Sequence, residues 1–399
     1  MLKTVFAAGC SRHNRIFSDT HYKDKTTWAQ SLQKTTAPAH AMHTVKIYIA
    51  GLPAFCETDA IYLAGDFNAW NAQDENFRLQ KDAGGIFSIA IPMVDTASYA
   101  FKFTRGSWRT TETDCEGNYL PNRIINIEAD SIFNFTIAGW KDHGSHNRIP
   151  STASPQVHIF DAAFKMPQLG RTRRIWVYLP KGYTGSLKKY PVLYMHDGQN
   201  LFDDATAFAG EWGVDETMDA LKNACIVVGI DNGGIQRMAE YNPNSTKQFG
   251  PGEGRAYLAF VVTTLKPAID KQYRTRAGRQ HTYMAGSSMG GLISLYAGLF
   301  YPEVFAVLGI FSPSFWVKPG IMAQVKKLAN ETHHGTQKYF FYAGGQEAAG
   351  MLTDVQAVAA AIQKAANPEM TVLVNPAAKH NEAAWGAAFR EFYAWIGNR

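Results

Sequence analysis

Thr282-Tyr283-Met284-Ala285-Gly286-Ser287-Ser288-Met289-Gly290-Gly291-Leu292-Ile293-Ser294-Leu295 reads as three things in succession. Tyr283-Met284-Ala285 has the apolar run of a buried strand, and Gly291 onward has the spacing of a helix. Between them Gly286-Ser287-Ser288-Met289-Gly290 matches GxSxG, the turn that lifts a serine hydroxyl out of a strand-to-helix corner. A turn this tight tolerates no flanking side-chain bulk, which accounts for Gly286 and Gly290. It places the Ser288 hydroxyl at the carboxyl edge of a sheet. The helix start beneath offers backbone N–H groups, that of Met289 first, to a developing negative charge. Bare GxSxG is common; its strand–turn–helix setting is what makes it a candidate nucleophile.

Working outward, apolar runs at 174–179, 190–195, 225–230, 307–311, 339–343 and 370–374 predict further strands. Helical patterns at 212–222, 256–273, 292–300, 324–329, 353–366 and 383–396 fall between many of them. Strands alternating with helices predict a doubly wound α/β sheet over 157–399. A serine at the elbow of an α/β-hydrolase sheet needs an acid and then a histidine later in the chain. His380, in Lys379-His380-Asn381-Glu382, follows the last predicted strand and precedes the last helix, where that base belongs. Its competitors His333 and His334 lie in a polar loop that reads as solvated. Glu347 follows the strand at 339–343 in Gly344-Gly345-Gln346-Glu347 and is the preferred acid. Asp354 is the alternative, set in the following helix, and a helix cap is the plain structural role for Glu347.

The oxyanion hole of such a site pairs the amide after the nucleophile, here Met289, with one from an earlier loop. His196-Asp197-Gly198-Gln199-Asn200, directly after the strand at 190–195, is that loop, with Gly198 and Gln199 as the candidate amides. Trp212, Phe315 and Trp316 fall near the same edge and could line an acyl pocket or serve as core aromatics.

The first third of the chain has another grammar. Residues 1–42 read as leader and linker; Ala7-Ala8-Gly9-Cys10 resembles a lipoprotein cleavage site, though the apolar segment before it is short for a signal. From Val45, Ile47 and Ile49 onward, short alternating runs separated by Gly, Asp and Asn predict an all-β, immunoglobulin-like sandwich over 43–140. Residues 141–156 are a polar, Ser- and Pro-bearing linker. Of the four cysteines, Cys56 and Cys115 could pair within the β unit, but free buried thiols are the expectation; no thiol or histidine cluster has metal spacing.

Composition narrows the function. With 46% hydrophobic and 18% charged residues the chain can bury a large core. Lys and Arg exceed Asp and Glu by only 39 to 34, with no dense basic stripe, which disfavours nucleic acid. No apolar run reaches the ~18 residues of a membrane span.

YPVLYMHDGQNLF (190–202), EWGVDETMDAL (211–221), IVVGIDN (226–232), LKPAIDKQYRT (265–275), GSSMGG (286–291) and HNEAAW (380–385) stand in an order that resembles the esterase D and feruloyl esterase group, which includes carbohydrate esterase family 1 and the enterochelin esterases. The resemblance implies a Ser288–Glu347–His380 triad, with Glu where many members carry Asp, and two-step acyl transfer without metal or organic cofactor. In the first unit, GDFNAW (65–70), YAFKFTRGSW (99–108) and Asn122-Arg123 resemble the family 48, glycogen-binding carbohydrate modules. That resemblance implies sugar stacking on Trp70 and Trp108, with Lys102 and Asn122 on hydroxyls. The stretch from Trp108 to Asn122 is longer than the family pattern, and a packing role for the whole unit is the alternative. Together these imply an exported bacterial esterase (secreted, periplasmic or lipid-anchored, with the cytoplasm left open) removing feruloyl or acetyl groups from an acylated plant polysaccharide such as xylan. An enterochelin-type siderophore esterase, with Arg237 and Arg255 near the pocket, and a glycan-binding protein with an inactive hydrolase unit are the alternatives.

Overall fold

A computed structural model of the chain describes residues 3–6, 41–53, 60–68, 70–94, 97–142, 151–208, 210–221, 224–245, 250–317, 320–328, 337–348 and 350–397. Strand β1 (Lys3–Phe6) comes first. The β unit follows with β2 (Met42–Gly51), β3 (Tyr62–Gly65), β4 (Gln80–Lys81), β5 (Phe87–Val94) and β6 (Ala97–Thr104). It continues with β7 (Glu112–Thr113), β8 (Arg123–Ile127), β9 (Ser131–Thr136) and β10 (Gly139–Trp140). These form one sheet in the order β4-β5-β2-β9, a second in the order β3-β6-β8, and a β10-β7 ribbon. Period-two alternation does the packing: Val45, Ile47 and Ile49 of β2 are buried while Lys46 and Ala50 are exposed. They meet Leu63, Phe101, Phe103, Ile125 and Ile127 of the other sheet in a single core. Strand β2 pairs antiparallel with β5 but parallel with β9, so the first sheet is mixed.

The second unit holds β11 (Val157–Met166), β12 (Arg171–Tyr178), β13 (Val192–His196), β14 (Ile226–Ile230), β15 (Thr282–Ser287), β16 (Val307–Phe311), β17 (Lys338–Gly344) and β18 (Glu369–Asn375). Its helices are α1 (Val214–Ala220), α2 (Arg237–Tyr241), α3 (Gly254–Phe260), α4 (Lys266–Gln272), α5 (Met289–Phe300), α6 (Ile321–Leu328), α7 (Met351–Ala366) and α8 (Glu382–Gly397). The sheet order is β1-β18-β17-β16-β15-β13-β14-β12-β11. All neighbours from β1 to β14 run parallel, and the β11–β12 hairpin closes the other edge antiparallel. Helices cover both faces, so the central strands are apolar throughout instead of alternating. Val192 and Tyr194 of β13 enter the core under α3, α5 and α7, whereas Leu193 and Met195 enter the opposite core under α1 and α8. This is the doubly wound arrangement the sequence predicts.

Four local features differ from expectation. Lys3–Phe6, within the supposed leader, adds a parallel edge strand beside β18. Strand β11 escapes the periodicity because it carries two register shifts at a sheet edge. The helix expected over 256–273 is interrupted by a π-helical turn at Val261–Leu265. Cys225 is free and buried as expected, but Cys115 is free and exposed. Cys10, Cys56, His333 and His334 lie outside the described residues.

Candidate active site

The parallel strands bring four loops to one edge, and each carries one part of the site. After β15, Ser288 takes φ 57° and ψ −120°, a conformation that non-glycine residues rarely adopt. The strain is held on both sides: Ser288 N–H donates to Phe311 O at 2.9 Å, and Ser288 O accepts Ser314 N–H at 3.0 Å. The elbow glycines have a local cause as well. A Cβ at Gly286 would lie 2.8 Å from the His196 ring, and one at Gly290 would lie 3.2 Å from His196 Cβ and Asp197 Oδ2. The Ser288 hydroxyl is 3.2 Å from that of Ser314. Met289 is the first residue of α5, so its amide sits at the helix start.

Glu347 follows β17, and His380 follows β18. His380 Nδ1 is 3.0 Å from Glu347 Oε2; the carboxylate is fully covered and the imidazole about a third exposed, at 36%. Glu347 Oε1 accepts Gly344 N–H at 2.8 Å and the Ser312 hydroxyl at 2.6 Å. The Ser312 hydroxyl in turn accepts the Trp385 indole N–H at 2.9 Å, and the Trp385 ring stands edge-on to His380 with centroids 4.8 Å apart. Asp354, the other candidate acid, is exposed in the first turn of α7. The structure therefore joins Glu347, not Asp354, to His380. Ser312 and Ser314 were missed by sequence reasoning. The signal available was Phe311-Ser312-Pro313-Ser314 at the end of the strand next to the elbow.

The loop after β13 lies beside the elbow because β13 and β15 are neighbours. Asp197 adopts φ 58° and is gripped by Arg237 at 2.7 and 2.9 Å and by Asn232 at 2.8 Å. Burial alone would raise its carboxyl, but Arg237 and Asn232 outweigh that and hold it below the usual range. Gly198 and Gln199 form the short 3-10 turn that follows. Gly198 is required by packing: a Cβ there would lie 2.8 Å from the backbone of Gly229 and Ile230. His196 is buried, pushed down to about 3 by burial and so neutral, with Nδ1 2.8 Å from the Tyr257 hydroxyl. Glu382, two residues beyond His380, is buried and raised to about 8 by that burial, with Asn200 Nδ2 3.4 Å away.

The three proposed pocket aromatics separate. Trp212 is core, 5.2 Å from the Phe311 ring and 5.9 Å from that of Trp385. Phe315 is buried in the opposite core, and only Trp316, 53% exposed, faces solvent. The first unit's candidates separate too. Trp70 and Trp108 are half-buried with ring centroids 6.2 Å apart, and Trp108 stands edge-on to Phe208 of the second unit at 4.5 Å. Phe208 is tied by its N–H to Asn200 Oδ1 at 2.9 Å, which anchors it to the Gly198–Asn200 turn. Lys102 departs from the expected sugar contact: it is 2% exposed and donates to Leu120 O. Asn122 is exposed just before β8. Tyr119 and Lys141 both donate to Ala207 O, so the β unit reaches the same stretch of the second unit that carries Phe208.

A mostly parallel sheet wound by helices on both faces, with a strained serine and a Glu–His pair at successive strand ends, is the architecture of the α/β-hydrolases. The chain belongs to the family described as "Putative esterase", which matches residues 167–396, more than half its length. It is 29% identical over 188 residues to the uncharacterized protein YbbA of Bacillus subtilis, covering 44% of this chain and 69% of that one. It is 30% identical over 161 residues to an endo-1,4-β-xylanase/feruloyl esterase of Xylanibacter ruminicola, covering 39% of this chain but only 21% of the longer relative. Among solved structures, an enterobactin esterase of Shigella flexneri shares the fold over 89% of this chain and 93% of its own, with a TM-score of 0.50 at 16% identity.

Proposed function

We propose that this esterase-family hydrolase cleaves carboxylic esters through an acyl-enzyme on Ser288. The observation that carries the reading is the covered Glu347 carboxylate on His380 Nδ1, one strand beyond Ser312 and two beyond the strained Ser288. With Nδ1–H donated to Glu347, Nε2 is the free base that takes the Ser288 proton and returns it to the leaving alcohol. The Met289 amide, with those of Gly198 and Gln199, then receives the developing oxyanion. A water activated by the same imidazole releases the acid.

For the substrate we favour a feruloyl or acetyl ester on a plant polysaccharide such as xylan. The supporting feature is an aromatic strip, Trp70, Trp108 and Phe208, that crosses from the β unit to the turn carrying Gly198. Aromatic faces suit the apolar side of a pyranose, and the Xylanibacter relative is itself named a xylanase/feruloyl esterase. On this reading the β unit is an immunoglobulin-like glycan module that has become part of the catalytic approach. The polyanionic siderophore alternative needs cations at the site. Arg237 is committed to Asp197, and Arg255 lies 3.9 Å over the Phe300 ring. The test is to incubate wild type and Ser288→Ala with feruloylated arabinoxylan, acetylated xylan and a linear enterobactin-type ester, and to quantify released acids by chromatography. Ferulate or acetate from wild type alone is the expected result. Release only from the catecholate ester overturns the substrate, and turnover by Ser288→Ala overturns the nucleophile.

A further inference from the structure

Away from the Ser288 site, Glu211 just before α1 and Asp215 and Glu216 in its first turn bring one oxygen of each within 4.8 Å of the others. Asp215 is completely buried. Its Oδ2 accepts Ser154 N–H at 2.7 Å, while Oδ1 is sealed from solvent with no hydrogen-bond partner. Glu211 Oε2 is sealed and unpartnered in the same way. Among the described residues no Lys, Arg or His forms an ion pair with any of the three. The charges acting on Glu211 are those of Asp215, Asp204 and Asp203, all acidic. Glu211 is half-buried and Glu216 exposed, so the cluster opens to solvent on one side. The two sealed carboxylate oxygens on its inner side are costly unless a cation or a shared proton joins them.

We propose that Glu211, Asp215 and Glu216 bind a calcium ion that clamps the interdomain segment to the hydrolase unit. The donors are all hard oxygens, with no nitrogen or sulfur among them, which selects Ca²⁺, Mg²⁺ or Mn²⁺ over the softer transition metals. Calcium fits better, because it accepts irregular sets of 6–8 oxygens, whereas magnesium demands a near-ideal octahedron and keeps most of its water. The place gives the ion its role. Ser154 hangs on Asp215, and the Ser151 hydroxyl and Thr152 N–H donate to Asp203 at 2.9 and 3.3 Å. Trp212, next to Glu211, donates its N–H to Asn200 O at 2.9 Å. An ion here therefore fixes the segment that carries the β unit, and braces the turn holding Gly198 and Gln199.

The test uses the full chain, treated with a chelator and dialysed. Trp212 serves as antenna for terbium luminescence, with Ca²⁺ as competitor, and Tm is read with millimolar Ca²⁺ or Mg²⁺. Expected are saturable terbium emission displaced by Ca²⁺ and a Tm rise of a few degrees with Ca²⁺. Glu216→Gln should weaken the Ca²⁺ affinity at least tenfold and cancel the rise; Glu211→Gln is the substitute if that variant does not fold. Absence of Ca²⁺-displaceable emission, as for a cluster kept neutral by shared protons, overturns the site. So does an unchanged response in the folded variant. An equal rise with Mg²⁺ overturns the choice of calcium.

Discussion

Glu347→Gln tests the core of the proposed mechanism because it changes one charge and almost no shape. In the wild type, Glu347 Oε1 accepts from Ser312 and Gly344, and Oε2 faces His380 Nδ1. The two donors on Oε1 dictate that the glutamine oxygen takes that position, leaving the amide NH₂ toward His380. An NH₂ can only donate, so Nδ1 must become the acceptor and the ring proton moves to Nε2. The imidazole then presents a proton where it should accept one. Loss of the correct tautomer and of the imidazolium's counter-charge costs about 10³–10⁴-fold in kcat, or roughly 4–5 kcal/mol of transition-state stabilisation. The assay is kcat and KM for a small chromogenic acetate ester at neutral pH, alongside circular dichroism and Tm. KM should change little and the fold should be retained. Asp354→Asn, exposed on α7, is the control and should stay within about twofold, as surface substitutions do. A loss below tenfold in a folded Glu347→Gln protein, or a larger loss in Asp354→Asn, would refute the reasoning.

Ser312→Ala leaves the buried Trp385 indole N–H without its acceptor and Glu347 with one donor fewer; denaturant unfolding should show a loss of about 1–3 kcal/mol. Its kcat should also fall about tenfold at constant KM, and a stability loss with unchanged kcat would make Ser312 purely structural. Burial holds Glu382 near 8, so above the usual carboxylate range the native state keeps a proton that the unfolded chain has released. Stability should therefore fall as pH rises from about 5 to 8, by at most about 1.4 kcal/mol per pH unit. Glu382→Gln should flatten that slope in Tm measured against pH; an identical slope would remove Glu382 as its source. Trp108→Ala should raise KM for polymeric substrate several-fold while sparing small esters, and equal kinetics on both would detach the β unit from substrate binding.

The elbow, the Glu–His pair and the sheet were legible because each rests on local pattern: tight-turn glycines, loop position after a strand, apolar runs of strand length. Ser312 and Ser314 were not, since Ser-Pro-Ser reads as an ordinary turn until β16 is placed between β15 and β17. The packing demand on Gly198 was not legible either. Its missing Cβ serves the close approach of β14, a contact between segments far apart in the chain. Lys102 was expected on sugar hydroxyls only through the resemblance to the glycogen-binding modules; the fold tucks its ammonium against Leu120 O. The fate of Trp108 likewise depended on Phe208, which no pattern in 43–140 could announce.

The contact that Trp108, Tyr119 and Lys141 make with 207–208 has a practical corollary for anyone building chimaeras. A cut in the 141–156 segment looks like a clean seam between two exchangeable parts. Grafting another β module onto this catalytic half, or expressing that half alone, would strip the covering from Phe208 and loosen its tie to Asn200. On the proposed reading of the β unit as part of the catalytic approach, the recombined enzyme would inherit a different entrance and not merely a different anchor, so parts swapped at this seam should be selected for catalysis as well as for adhesion.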